Sequence, residues 1–320
     1  MGGQETATVV ESRRLGPNHV RLKLRAPGVA LRSLPGQFVN VRCTPLAFAA
    51  RTFDDWETFR RSRRTTEPQP PATLLMRPFA VYRRWPNGPD GGHIEILFKI
   101  VGRGTDALAR KRPGETLDLV GPLGTGFDLD WCRRLRKAVV VAGGVGLAPL
   151  HPLVEYLREH DVDTLVIVGA IREEDVPLET ADSRVTLSFM STEPEVTITC
   201  EEYERLGCGL GIVTLEGTRG YKGLPTEMLD RFLHRREAGG HGEMAVFACG
   251  PWGMMREVAR HAAEHDVRCQ VLLEERMGCG VGACMACTCR TKGRTGEVVR
   301  KRICVDGPVF EAGEVVWDEG

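Results

Sequence analysis

No stretch of this sequence is long and apolar enough to cross a bilayer. The longest apolar run, around 138–150, is broken by glycines and falls short of the ~20 residues that a spanning helix needs. The opening residues, Met1-Gly2-Gly3-Gln4-Glu5-Thr6, offer neither a basic nor an apolar leader region, so neither a signal peptide nor membrane insertion is expected. An excess of charge is lacking too. Lys+Arg and Asp+Glu stand at 43 each, which gives nucleic acid no net attraction. The eleven cysteines do not suit a small secreted disulfide scaffold; they point to reduced thiols in a cytoplasmic setting, some of them binding metal. With 320 residues, 42% apolar and 27% charged, two or three globular domains are expected.

What the chain does hold is concentrated near its end. Cys279, Cys284 and Cys287, followed much later by Cys304, read as C-x4-C-x2-C with a distant fourth cysteine. Plant-type ferredoxins ligate a [2Fe-2S] cluster with this spacing. Gly278, Gly280 and Gly282 let the backbone fold around two irons and turn N–H groups toward the sulfurs. Structural zinc and plain buried thiols are the alternatives. Zinc modules usually show two short Cys/His pairs, and here a single C-x2-C stands beside an uneven gap. Cys289 is expected as an unligated strand cysteine, and Cys200 and Cys208 as incidental thiols.

Over 1–130, alternating runs at 6–10, 20–24, 38–41 and 93–99, bounded by Gly/Pro/Asn turns, predict an antiparallel β-barrel or sandwich. The 44–76 segment, rich in proline and charge, reads as a surface excursion that could contact a partner subunit. Arg77-Pro78-Phe79-Ala80 opens one extended run, and Gly102-Arg103-Gly104-Thr105 precedes a helix with Thr105 as its expected N-cap. In this order the elements resemble the flavin-binding barrel of the ferredoxin–NADP reductase superfamily. The resemblance implies FAD against Arg77, Pro78, Phe79, Ala80, Leu97, Phe98, Lys99, Gly104 and Thr105, with the Arg77 guanidinium pairing with pyrophosphate. Ala80 departs from the Ser or Thr common there, which removes a hydroxyl from beside the flavin.

Over 131–270, the β-branched run 138–142 ends in Gly143-Gly144-Val145-Gly146, with Pro149 just beyond and a helical pattern through Leu157. Strand, glycine turn and helix form the phosphate-cradling geometry of α/β parallel-sheet nucleotide-binding folds. The G-x-G-x-x-G fingerprint is absent; G-G-x-G-x-A-P resembles the reductase superfamily instead. Runs at 164–170, 185–190 and 244–249 read as further buried strands, and Thr226 as the N-cap of the helix carrying Met228. Cys249-Gly250-Pro251 resembles the element beside the nicotinamide; a core cysteine at a strand end is the alternative for Cys249, and the preceding glycine motif weighs against it. Arg172 fits either a 2′-phosphate or plain surface, so NADH against NADPH stays open. The region 193–215 gives no clear pattern.

Residues 271–320 close with Cys304-Val305-Asp306-Gly307-Pro308-Val309-Phe310. Together with Glu274-Glu275-Arg276-Met277-Gly278-Cys279, this resembles the electron-transfer subunits of type B dihydroorotate dehydrogenases. Related NADPH–ferredoxin-type subunits tend to carry Asp at the Cys279 position. The resemblance implies FAD, NAD and a [2Fe-2S] cluster held by Cys279, Cys284, Cys287 and Cys304. It also implies an FMN-containing dihydroorotate dehydrogenase catalytic subunit as partner, in a heterotetramer serving pyrimidine biosynthesis, and no catalytic side chain on this chain. A stand-alone NAD(P)H reductase for a ferredoxin or oxygenase is the competing expectation.

Overall fold

The computed structural model describes residues 2–44, 76–88, 91–183, 197–236, 243–293 and 295–317. Residues 45–75 of the expected excursion and the expected strand at 185–190 lie outside these.

The first part is a seven-stranded antiparallel sheet in the order β4-β3-β7-β1-β2-β6-β5. Its strands are β1 (Gly3–Leu15), β2 (His19–Arg25), β3 (Phe38–Val41), β4 (Arg77–Ala80), β5 (Arg83–Trp85), β6 (His93–Lys99) and β7 (Thr116–Leu123). β4 and β5 occupy opposite edges, yet only Val81 and Tyr82 separate them along the chain. The sheet must therefore curl until its edges approach one another, which produces the expected barrel. Helix α1 (Pro27–Arg32) packs Val29 and Ala30 into the same core as Val20, Leu22, Leu24, Ile94 and Ile96. Helix α2 (Arg103–Ala109) starts two residues before Thr105, which is its third residue and not its N-cap. The Thr105 hydroxyl still serves the helix start, accepting from the N–H groups of Val101 (2.9 Å) and Gly102 (3.1 Å).

A short helix, α3 (Leu129–Cys132), leads into a second seven-stranded sheet, ordered β13-β12-β9-β8-β14-β15-β18. These strands are β8 (Lys137–Gly143), β9 (Asp163–Ala170), β12 (Gly209–Thr214), β13 (Tyr221–Lys222), β14 (Met244–Cys249), β15 (Arg268–Leu272) and β18 (Val309–Glu311). A separate ribbon pairs β10 (Ala181–Ser183) with β11 (Thr197–Thr199). All pairings in the large sheet are parallel except β15 with β18. On one face Ala138, Val140 and Ala142 of β8 meet α4 (Leu147–Glu159); on the other, Val139 and Val141 pack with residues of α6 (Pro225–Arg236) and α7 (Trp252–Glu264). Burial on both faces explains why β8 reads as an unbroken apolar run. α6 begins at Pro225, a residue suited to the first helical position, which leaves Thr226 inside the first turn instead of at the cap. Between the ribbon and β12 lies α5 (Glu201–Leu206), and Gly207 ends it in the left-handed conformation at φ 66°.

The last segment forms a ribbon of β16 (Thr288–Lys292) and β17 (Val298–Arg302), then returns through β18 to pair Val271 with Phe310 on the edge of the large sheet. The cluster-bearing segment is thus tied to the second sheet by backbone hydrogen bonds as well as by sequence.

Candidate functional site

Strand order in the second sheet reverses between β8 and β14, the point at which open α/β sheets bind ligands beyond the strand ends. Gly143–Gly146 follows β8 and Cys249-Gly250-Pro251 follows β14, so the two motifs face each other across this crevice. Their backbones touch. A Cβ on Gly143 would sit 2.4 Å from Pro251 Cδ, and one on Gly146 would sit 2.4 Å from the Cys249 carbonyl oxygen. Glycine at both positions is what lets the two loops pack this closely, because the space a Cβ would take is filled by Pro251 and Cys249. Cys249 itself turns inward. Its side chain is fully buried, and burial together with the Glu274 charge pushes its thiol pKa well above the ordinary value.

Arg77, Pro78 and Ala80 line a cleft of about 790 Å³ with Pro149, the 272–277 segment and Pro308. Barrel, first turn of α4 and the arm leading into the cysteine loop therefore share one cavity, of a size that suits a flavin ring system. Within it Ala80 offers no hydroxyl. Gly104 lies under the arginine: a Cβ there would be 3.6 Å from Arg77 Cγ and Nε. The other barrel residues expected at the flavin present their side chains elsewhere. Phe79 and Phe98 face the barrel core with ring centroids 5.4 Å apart. Leu97 packs with Tyr82 and Ala148, with Val145 against them. Lys99 Nζ reaches Asp175 Oδ1 at 2.6 Å, joining the barrel to the second sheet. Glu274, whose motif pointed only to the family, lines the cleft at an exposed position.

Behind the cleft lies a polar network that no local sequence pattern announces. Tyr82, two residues after Ala80, stacks on His151, two residues after Pro149, at a centroid distance of 4.4 Å. Glu202 of α5 takes the Tyr82 hydroxyl and the Arg21 guanidinium, and pairs with Arg83 at 2.7 Å. His151 Nδ1 meets the Tyr203 hydroxyl at 3.0 Å. The flavin-side strand and the glycine-loop helix are thereby locked together close to the cavity.

In the cysteine loop, partial burial would raise the Cys279 thiol pKa, but the N–H groups of Val281, Cys284 and Ala283 outweigh it and hold the value at about 7. The N–H groups of Val281 and Cys284 each lie 3.4 Å from the Cys279 sulfur, the backbone-to-sulfur pattern that suits a [2Fe-2S] ligand. Gly280 adopts φ +70°, and a Cβ there would meet Asn40 Nδ2 at 2.0 Å. Asn40, 3% exposed on β3, donates instead to the Cys279 carbonyl at 3.0 Å. Cys289 sits on β16 with its thiol against the Lys301 carbonyl, while Cys200 is buried and Cys208 partly so.

Arg172 is engaged by acid: its Nε lies 2.9 Å from Glu216 Oε1, and its Nη1 3.6 Å from Glu174. Among the described residues no helix is long and apolar enough to cross a membrane.

Residues 274–316 match the family model of the iron-sulfur cluster binding domain of dihydroorotate dehydrogenase B. The chain is 32% identical over 312 residues to the dihydroorotate dehydrogenase B (NAD(+)) electron transfer subunit of Desulforamulus reducens, covering 98% of each protein. It is 33% identical over 313 residues to that of Geobacillus sp. strain WCH70, again with 98% of each covered. Among solved structures, an NADH-dependent reduced ferredoxin-NADP oxidoreductase studied for flavin-based electron bifurcation superposes with a TM-score of 0.70 at 25% identity, over 99% of this chain and 92% of that one. The ferredoxin reductase in carbazole 1,9a-dioxygenase shares the fold, with a TM-score of 0.55 at 18% identity over 83% of this chain and 67% of that one. The chain belongs to the family of electron transfer subunits of NAD(+)-dependent dihydroorotate dehydrogenase B.

Proposed function

We infer that this chain relays electrons from an FMN-containing dihydroorotate dehydrogenase catalytic subunit to NAD+, as part of pyrimidine biosynthesis. The observation that carries this reading is the cleft shared by Arg77, Pro78 and Ala80, Pro149 and the 272–277 arm that leads into the cysteine loop. When bound, FAD exchanges single electrons with a [2Fe-2S] cluster and a hydride with nicotinamide. The chain's own residues bind and orient. Arg77 neutralises the FAD pyrophosphate beside Gly104, and the Gly143–Gly146 and Cys249–Pro251 loops receive NAD. Cys279, Cys284, Cys287 and Cys304 supply the thiolates. The division into 1–130, 131–270 and 271–320 assigns one cofactor to each segment.

Dihydroorotate oxidation is left to the partner, with which the chain forms a heterotetramer. All eleven cysteines are free, which supports a reducing, cytoplasmic setting. Anaerobic titration of the holo chain with NADH tests the relay: flavin and cluster absorbance should both bleach. In Cys284→Ser only the flavin should respond. Unchanged cluster bleaching in that variant would remove Cys284 from the ligand set.

A further inference from the structure

On the sheet face opposite α4, helices α6 and α7 each present two metal-ligating side chains one turn apart: Asp230 and His234 on α6, His261 on α7 and His265 at its C-cap. At i, i+4 spacing, the members of each pair share a helix face. One ligand atom from each of Asp230, His234 and His265 falls within 4.8 Å of the other two. The rings of His234 and His265 meet edge to face with centroids 4.6 Å apart.

The surroundings prepare these groups as ligands. His234 Nδ1 lies 2.9 Å from the Asp230 backbone carbonyl, which can only accept, a contact that orients the ring. Metal-binding histidines are oriented in this way, through a hydrogen bond from the other ring nitrogen. A third imidazole lies beside the Asp230 carboxylate, with His261 Nδ1 2.8 Å from Oδ1. Arg260 lies 3.0 Å from His261 Nε2 and can only donate, so that nitrogen accepts. Arg260 is in turn paired with Glu257 and Glu264, so its charge is offset locally.

We propose that Asp230, His234 and His265 form a divalent transition-metal site. Two imidazoles and one carboxylate suit Zn2+, Ni2+ or Cu2+ and disfavour Mg2+ or Ca2+, which take oxygen ligands. His265 is nearly buried while His234 is exposed at 62% of its side chain, so the ion sits at the mouth of the helix pair with water completing its shell. Its effect is to pin α6 to α7. α6 starts at Pro225, which packs against Gly169 at the end of β9, and α7 starts directly after Cys249-Gly250-Pro251. The ion therefore braces two helices that begin beside the nucleotide crevice.

The test uses the oxidised holo chain with its cluster assembled, in which neither flavin nor cluster gives an EPR signal, and Cu2+ as the probe. One Cu2+ per chain with nitrogen superhyperfine structure is expected, displaced by Zn2+. His234→Ala, at an exposed position, and His265→Asn should each weaken binding by at least the ~10–100-fold that loss of a supporting partner alone costs. His160→Ala should bind as the parent does. Absence of a stoichiometric Cu2+ signal, or a signal unaltered in both His234→Ala and His265→Asn, would overturn the site.

Discussion

Asn40 of the barrel hydrogen-bonds the carbonyl of Cys279, 239 residues away in the cysteine loop, through Nδ2 at 3.0 Å. The contact fixes the cysteine loop against the strand that also carries Phe38, a residue lining the flavin cleft. Distance between the two redox groups is thus set by packing between segments as well as by the chain that joins them. Asn40→Ala should cost about 1 kcal/mol of local stability, the usual net worth of such a hydrogen bond. Gly280→Val, which meets both the side-chain contact and a positive φ, should cost more. Iron content per purified chain should fall in the order parent, Asn40→Ala, Gly280→Val. Full iron in Gly280→Val would show that this contact does not hold the loop.

Arg77→Ala should weaken FAD by about ten- to a hundred-fold, the range of a charge-assisted hydrogen bond worth ~1.5–3 kcal/mol. Flavin retained after gel filtration measures this. Unchanged retention would move the pyrophosphate away from Gly104.

Glu202 is the hub of the network joining barrel and second sheet, with 10% of its side chain exposed. Removing one partner of a buried pair costs ~3–5 kcal/mol, so Glu202→Ala should lower the thermal midpoint markedly. Burial raises the pKa of this carboxyl, but His151, Arg21 and Arg83 outweigh burial and leave it below the ordinary 4.5. A depressed carboxyl stabilises the fold above its unfolded value and loses that contribution as pH falls through the folded value. The stability difference between parent and Glu202→Ala should therefore be full at neutral pH and shrink below about 4.5. A difference independent of pH would contradict the ionic account.

Glu216 occupies the guanidinium of Arg172 at 2.9 Å, where a 2′-phosphate would otherwise compete. Glu216→Ala should release the arginine and improve NADP+ relative to NAD+ by about ten-fold, the worth of one charge-assisted contact. The ratio of kcat/KM for the two nucleotides is the readout. An unchanged ratio would place the adenosine ribose elsewhere.

Local patterns were legible where the physics is local. Alternation marked β1, β2, β3 and β6; a double-sided apolar run marked β8; glycine and cysteine spacing marked the loops. What escaped detection depends on distant partners. Arg21, Tyr82, His151 and Glu202 come together only once the barrel docks on α4 and α5, and no short window contains two of them at a telling interval. β12 was illegible because Gly209 and Gly211 weaken its pattern, yet a Cβ at Gly211 would sit 2.5 Å from Met228 Sδ, so close helix packing demands the glycine. β18 looked like the end of a cluster motif because pairing with β15 is invisible from three residues. Thr105 and Thr226 misled at helix starts, where Gly102 and Pro225 set the boundary instead.

The central claim is that this chain completes an electron path from dihydroorotate to NAD+. The most direct measurement is anaerobic orotate formation by the chain together with its FMN partner, with NAD+ as the sole acceptor. Turnover should require both polypeptides and disappear in Cys284→Ser while FAD stays bound. A holo chain that NADH reduces, but that supports no NAD+-linked dihydroorotate oxidation with the partner, would contradict the account.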